Sequence, residues 1–482
     1  MSLGLCAHLI KTRENITSEG VVIGHDHRHH SWDFARLATA VFLKNNVKVY
    51  LLQAICPTPF VPFSVTFLKA ACGIMITASH NPKEDNGYKV YWNNGCQIVS
   101  PTDKDIAKSI ISNFEPETWD YEAYTKSSIC VDPMEQIAKE YFSRLSKYRF
   151  IESYPQLPIV YTAMHGVGYE YILKALKAIK YPYLIPVKEQ VLPDPDFPTV
   201  KYPNPEEGKG SLKLAIETAE SHNSSIILAN DPDADRLAIA AKDKNSNWQT
   251  LSGNQIGILL AYYCVEKLRN RERISPGQIA MVTTIVSSKM LKAFCLKNEH
   301  RYEETLTGFK YIGNEVLKLE SEGYRVPFAY EEAIGFMVFD LVRDKDGISA
   351  LSTALQMLCE LHFAGLSVFD KLDKIYEELG YFASSNGYLI VKDRSRKTQI
   401  FDFLSKKQEY LGEYKIKKII NYSPSLMIYF ELENGWIVFR TSGTEPKVKY
   451  YSEMVGNLKD RMSIESKLHY FTDGLVNELN KL

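Results

Sequence analysis

Short apolar runs alternate with helical patterns along most of the chain. Residues 21–24, 48–52, 73–77, 159–161, 225–229 and 237–240 are brief runs dominated by Val, Ile, Leu, Ala and Met, and they predict strands. Residues 169–180 place Ile172, Ala175, Leu176 and Ile179 at helical spacing. The weakly charged stretch 348–369 contains Ser349, Ser352, Thr353, Gln356, Glu360 and His362, so it predicts a core helix with a loop and not a membrane span. Strand–loop–helix alternation predicts α/β domains with parallel or mixed sheets, whose ligands sit beyond the carboxyl ends of strands. From residue 388 strand character rises, at 427–430 and 436–439, and the chain closes with a polar helix at 464–482. That segment predicts a separate α+β domain.

At 482 residues the chain exceeds what one core supports, and a soft 150 residues per domain gives about three. Lys plus Arg is 57 and Asp plus Glu is 58, a net charge of −1 that argues against a nucleic-acid binder yet permits a local basic pocket for a small anion. The eight cysteines (6, 56, 72, 96, 130, 264, 295, 359) form no CxxC pair, which excludes a disulfide framework or zinc spacing and predicts reduced thiols in the cytoplasm. The first ten residues carry no basic lead and are followed at once by Lys11, Arg13 and Glu14, unlike a targeting leader.

Polar loops that follow apolar runs are where chemistry is expected. Thr77–Ala78–Ser79–His80–Asn81–Pro82 offers a serine beside a histidine, with Lys89 ten residues on and turn signals at Asn81–Pro82 and Asn86–Gly87. From spacing alone a solvated surface turn is the simpler reading. Asp231, Asp233 and Asp235 alternate on one loop, where they would repel strongly without a cation; hard oxygen ligands suit Mg²⁺. Arg236 and Lys242 exclude an EF-hand, because they stand where its glycine and bidentate glutamate belong. Glu331–Glu332–Ala333–Ile334–Gly335 could bind sugar hydroxyls, and a helix N-terminus explains it equally well. Arg440, Ser442, Gly443, Thr444 and Lys447 offer a guanidinium fork, hydroxyls and approachable backbone to a phosphate, or a polar hairpin turn.

Other features fit known sites poorly. His25, His27, His29 and His30 lack a second ligand set for zinc and predict a polar surface loop. Gly166–Val167–Gly168 opens a helix, but Tyr171 replaces the third glycine of a dinucleotide fingerprint, and Pro203 removes a phosphate-binding P-loop at Gly208–Lys209. A phosphatase using Asp231 as nucleophile remains a reading that needs no family.

All four loops, in this order, resemble the α-D-phosphohexomutase superfamily, and the strings at 57–63, 194–208 and 305–310 resemble its branch of phosphopentomutase and the second type of cytosolic phosphoglucomutase. The resemblance runs from Gly20 to Glu453. It implies three mixed-sheet α/β domains plus a C-terminal α+β domain around a central cleft, with boundaries expected at 1–150, 151–262, 263–383 and 384–482. It implies a phosphosugar mutase, an isomerase of carbohydrate metabolism that moves phosphate between C1 and C5 of ribose or deoxyribose, or between C1 and C6 of glucose. Ser79 would carry the phosphoryl group, and Asp231, Asp233 and Asp235 would hold Mg²⁺ together with it. Lys89 and His80 would move protons, and Arg236 would brace the site. Glu331 and Lys310 would recognise the sugar, while Arg440, Ser442, Gly443, Thr444 and Lys447 would grip the phosphate that is not reacting. Ala333 stands where many members carry a serine, which fits a pentose-capable enzyme.

Expected ligands are small sugar phosphates, with glucose 1,6-bisphosphate as primer, no nucleic acid or membrane, and a monomer. The family's opening arginine-containing segment has no match in residues 1–19, so an N-terminally shortened chain is expected. Rival readings are a glucose-1,6-bisphosphate synthase and an inactive isoform that only binds sugar phosphate.

Overall fold

The computed structural model describes residues 1–115, 119–122, 126–422, 426–442 and 446–482. The chain divides into two compact units: one of residues 1–285 and 295–368, the other of residues 286–294 and 369–482.

The larger unit carries three mixed sheets. In the first, strands run in the order Tyr88–Trp92, Cys72–Ile76, Val21–His25, Val49–Leu51 and Cys130–Val131, parallel except for the antiparallel pair Cys72–Ile76 and Tyr88–Trp92. Val21–His25 and Cys72–Ile76 are continuous apolar runs because both faces are covered. On one face Val21, Ile23, Ile74 and Ile76 join a core with Ala35, Ala38 and Phe42 of helix Ser31–Lys44. On the other lies helix Phe60–Leu68, so close that a Cβ on Gly73 would sit 2.6 Å from Val65 Cγ2. Helix Ser2–Thr12 buries Leu5, Cys6 and Leu9 in the first of these cores.

The second sheet runs Trp248–Thr250, Ala238–Lys242, Ile226–Ala229, Val160–Thr162 and Ile185–Pro186. The third runs Arg301–Thr305, Ile279–Thr284, Arg325–Glu331 and Gly335–Val338. Helix Gly168–Ile179 stops where Lys180 turns left-handed, one residue from the stretch its periodicity predicts. Helix Gly253–Glu272 starts at a capping box in which Ser252 and Gln255 satisfy each other's backbone, and it runs through the boundary expected at 262–263. Helix Gly347–Phe363 is capped by the Asp346 carboxylate, which accepts from Ile348 N and Ser349 N, and is buried along almost its whole length.

The smaller unit is a six-stranded, wholly antiparallel sheet in the order Tyr381–Ile390, Lys447–Gly456, Gly435–Thr441, Met427–Leu432, Tyr414–Asn421 and Tyr410–Leu411. Helices Arg394–Ser405 and Arg461–Asn480 accompany it, the α+β composition expected of the C-terminal segment.

The sequence reading left the loops' setting open, and the structure gives all of them one setting. Each candidate loop joins two antiparallel strands: Cys72–Ile76 to Tyr88–Trp92, Ile226–Ala229 to Ala238–Lys242, Arg325–Glu331 to Gly335–Val338, and Gly435–Thr441 to Lys447–Gly456. The helix N-terminus considered for Glu331 and Glu332 is therefore wrong: Glu331 ends a strand and the chain reverses directly into the next. All eight cysteines are free, seven of them buried and Cys130 half-buried. Among the described residues no helix is long and apolar enough to cross a membrane.

Candidate active site

Ser79 sits three residues beyond a fully buried strand, with a left-handed backbone (φ 54°) that a non-glycine residue adopts only when its surroundings enforce it. Its N–H is bound by the Thr77 hydroxyl at 2.9 Å. The acidic loop is equally constrained. Asn230 accepts from Tyr161 Oη at 2.9 Å and donates to the carbonyls of Arg236 (2.6 Å) and Gly347 (3.3 Å). Ala234 is left-handed at φ 53°, and Arg236 N closes the turn on Asp231 Oδ1 at 3.0 Å. Alternation with Pro232 and Ala234 turns three carboxylates to one place: an oxygen from each of Asp231, Asp233 and Asp235 lies within 4.8 Å of the others, all of them buried.

These two loops meet. The Ser79 hydroxyl donates to Asp231 Oδ2 at 3.1 Å and lies 3.4 Å from His80 Nδ1. Lys89, on the return strand of the serine hairpin, reaches Asp233 at 2.8 Å and Asp235 at 3.3 Å. Arg236 Nε lies 3.6 Å from Asp235 and 3.8 Å from Asp231. The third loop closes the site: Leu237 N bonds to Ile334 O at 3.2 Å, Arg236 bridges to Gly335, and Glu331 is buried.

Burial and crowding set the proton affinities. Burial, then Asp233 and Asp235, push the Asp231 carboxyl well above the ordinary range. Burial also works against ionised Asp233, but Lys89 and the Thr58 hydroxyl outweigh it and hold that carboxyl well below. Burial pushes His80 well down, with Arg236 adding to the effect, so its imidazole is neutral. Burial also raises Glu331, against the pull of Lys345 and Arg236. Two carboxylate oxygens, Asp233 Oδ1 and Asp235 Oδ1, are buried without a hydrogen bond. Buried, hard, negatively charged oxygens of this kind fit a small divalent cation, whereas hydrogen-bond donors satisfy only part of the set.

The sequence matches the phosphoglucomutase/phosphomannomutase alpha/beta/alpha domains I, II and III over residues 3–117, 134–245 and 252–379. It is 42% identical over 492 residues to the phosphopentomutase of Homo sapiens, covering 94% of this chain and 80% of that protein. The chain belongs to the phosphoglucomutase/phosphomannomutase family. It is 39% identical over 514 residues to the glucose 1,6-bisphosphate synthase of Homo sapiens, covering 98% of this chain and 82% of that protein. The larger family fold is shared with the phosphoglucomutase pp63/parafusin of Paramecium in its open form, at a TM-score of 0.72 and 17% identity, over 98% of this chain and 91% of that one.

Against this family background, the structure brings together Ser79, His80, Lys89, Asp231, Asp233, Asp235, Arg236 and Glu331. Ala333 is half-buried at the tip of its hairpin. Lys310 stacks over Tyr311 at 5.0 Å, at the start of helix Phe309–Ser321. In the smaller unit Arg440 Nη2 donates to Tyr451 Oη at 3.2 Å, Ser442 N bonds to Lys447 O at 2.9 Å, and the Lys447 ammonium lies 4.2 Å from the Tyr388 ring. Gly443 and Thr444 lie outside the described residues.

Two members of the site escaped the sequence reading. Thr58 donates to Asp233 Oδ2 at 2.6 Å from a buried position, and its only sequence signal was the Pro57–Thr58–Pro59 string. Lys345 is buried, 3.5 Å from Asp235 and 3.7 Å from Asp344, hidden in an ordinary-looking charged stretch, Arg343–Asp346. The histidine-rich loop also needs correction. His25, Asp26 and Arg28 are buried and only His29 and His30 are exposed, because the loop lies against the serine loop and not in solvent.

Proposed function

We propose that this protein is a phosphosugar mutase, an intramolecular phosphotransferase moving phosphate between C1 and C5 of ribose or deoxyribose and between C1 and C6 of glucose. The observation that carries this reading is the 3.1 Å hydrogen bond from the Ser79 hydroxyl to the first carboxylate of a buried acidic triplet. In the charged enzyme Ser79 bears a phosphoryl group. A hydroxyl of the sugar phosphate attacks phosphorus, the bond to Ser79 Oγ breaks, the attacking hydroxyl loses its proton and the serine oxygen regains one. The resulting bisphosphate turns over and returns its other phosphate to Ser79. His80, neutral and 3.4 Å from Ser79 Oγ, and Lys89 are the groups we assign to proton movement. Asp231, Asp233 and Asp235 would hold Mg²⁺. When bound, Mg²⁺ offsets negative charge on the transferring phosphoryl group. Arg236 keeps these carboxylates in place, and Glu331 would take the sugar hydroxyls. Arg440, Ser442, Gly443, Thr444 and Lys447 would grip the other phosphate. Free cysteines throughout support a reducing compartment, the cytoplasm.

A second reading, glucose-1,6-bisphosphate synthase, is favoured by the 39% identity to a protein of that name. Purified protein with Mg²⁺ and glucose 1,6-bisphosphate primer is expected to convert ribose 1-phosphate to ribose 5-phosphate, with Ser79→Ala inactive. Bisphosphate accumulating from another phosphate donor, in place of primed isomerisation, would decide for the synthase. Full turnover by Ser79→Ala would defeat both readings.

A further inference from the structure

Arg28 lies in the histidine-rich loop and is 3% exposed. Its guanidinium is wrapped by the backbone of the serine loop. Nη2 donates to the carbonyls of Ser79 (2.6 Å) and Asn81 (2.7 Å), and Nη1 to those of Pro82 (2.7 Å) and Asp85 (3.4 Å). A guanidinium has five N–H groups in a fixed plane, and four of them are spent on these carbonyls. The fifth N–H, on Nε, faces Asp26 Oδ2 at 3.3 Å. Asp26 is itself anchored, accepting from Arg28 N at 3.0 Å and from the Ser31 hydroxyl. The Phe197 ring covers the group, with its centroid 5.1 Å from the guanidinium carbon. Asn86, further along the same loop, is tied to His29 O at 3.1 Å and to Ser31 Oγ at 3.2 Å.

Two consequences follow. With its four Nη donors used and its side chain buried, Arg28 is not available to grip a substrate phosphate. Yet the carbonyl of Ser79 itself is one of the four it holds, and Ser79 adopts a backbone conformation that needs enforcement.

We propose that Arg28 is the positioning residue of the phosphoryl-carrying serine: a planar template around which loop 79–85 folds, fixing Ser79 in its left-handed conformation with the hydroxyl toward Asp231. The part of this concerning turnover rests on the mutase reading. A primary ammonium has three donors and no plane, so lysine cannot reproduce four in-plane bonds.

The test uses the full chain with Arg28→Ala and Arg28→Lys. Arg28→Lys fills the volume and keeps the charge opposite Asp26, so it serves where Arg28→Ala does not fold by circular dichroism. In the ribose 1-phosphate assay both variants are expected to lose about 10- to 100-fold in kcat, the scale of a misplaced reacting group, with KM within about twofold. Millimolar guanidinium ion is expected to recover part of the Arg28→Ala loss and none of the Arg28→Lys loss. Amide hydrogen exchange of the 77–87 peptide is expected to quicken in both variants. A folded variant with wild-type kcat, a loss residing in KM, or unchanged exchange at 77–87 would overturn the proposal. If the wild-type chain turns over no sugar phosphate, the mutase reading fails, and the exchange measurement then decides alone whether Arg28 holds the loop.

Discussion

Lys345 tests the electrostatic account of the site most directly. Its ammonium is buried 3.5 Å from Asp235 and 3.7 Å from Asp344, and Glu331 is a third carboxylate that acts on it. At an effective dielectric of about 20, a pair at these distances is worth roughly 4–5 kcal/mol of Coulomb attraction, from which the lysine's own desolvation must be subtracted. Burial alone would drive the ammonium to lose its proton, but Asp235, Asp344 and Glu331 outweigh burial and hold its proton affinity well above the ordinary value. Lys345→Met keeps an unbranched apolar stem and deletes the charge, together with its place 5.6 Å over the Phe309 ring. Asp235 then loses a neutralising partner in a buried site. The expected cost is about 3–5 kcal/mol, the range for breaking one side of a buried pair. The assay is equilibrium urea unfolding in EDTA, followed by circular dichroism. Added Mg²⁺ is then expected to stabilise the variant more than the wild type, since a cation on the triplet restores part of the missing charge; saturation at 100 times the dissociation constant is worth about 2.7 kcal/mol. A Lys345→Met protein that unfolds in EDTA within about 1 kcal/mol of the wild type would refute the claim that these carboxylates depend on this cation.

Further predictions concern other parts of the structure. Gly253→Ala would put a Cβ 2.0 Å from the Glu332 carbonyl, so it is expected to cost about 1–3 kcal/mol and to quicken exchange in the 331–335 hairpin; a neutral substitution in a thermal melt would contradict this close approach. Asp233→Asn is expected to abolish most of the rise in Tm that Mg²⁺ gives the wild type; an undiminished rise would place the cation elsewhere. In the smaller unit, burial raises the proton affinity of Glu453 above its ordinary 4.5, although Lys289 N at 2.9 Å and Trp436 Nε1 at 3.0 Å bind the carboxylate. The folded state then binds the proton more tightly than the unfolded state, so Glu453 lowers stability as pH rises above about 4.5. Glu453→Gln is expected to flatten that slope, read as hydrogen exchange of strand Tyr381–Ile390 between pH 4.5 and 7.5; an unchanged slope would show that another group sets it.

The strands were legible because they are buried on both faces, which turns them into uninterrupted apolar runs; the predicted run at 21–24 is the strand Val21–His25, and that at 73–77 is Cys72–Ile76. The loops were legible because a polar cluster directly after such a run is costly unless it has a task. Their pairing into hairpins was not, except at 440–447, where a polar hairpin turn was one of two readings. The return strand Tyr88–Trp92 is half-buried along most of its length and carries Lys89, so it shows no clean period, and nothing local says which strand it will join. Lys345, Thr58 and Arg28 were invisible for a related reason. Each acquires meaning only from partners more than 50 residues away, such as the Ser79 carbonyl for Arg28 and the Asp233 carboxylate for Thr58. The histidines drew attention by composition, while the single arginine among them did the structural work.

The hairpin setting of the serine loop also constrains how this region can diverge in evolution. Lys89 stands opposite Met75 in a ladder that begins at the pair Ile76 and Tyr88. Side chains alternate between faces along a strand, so inserting or deleting one residue between the turn and Lys89 would send the lysine to the far side of the sheet, away from Asp233 and Asp235. Length change is therefore barred between Gly87 and Lys89, and descendants of this sequence can vary there only by exchanging one residue for another. Insertions can accumulate without moving the chemistry only beyond Ile98, whose N–H still bonds to the Val90 carbonyl of the return strand at 3.1 Å.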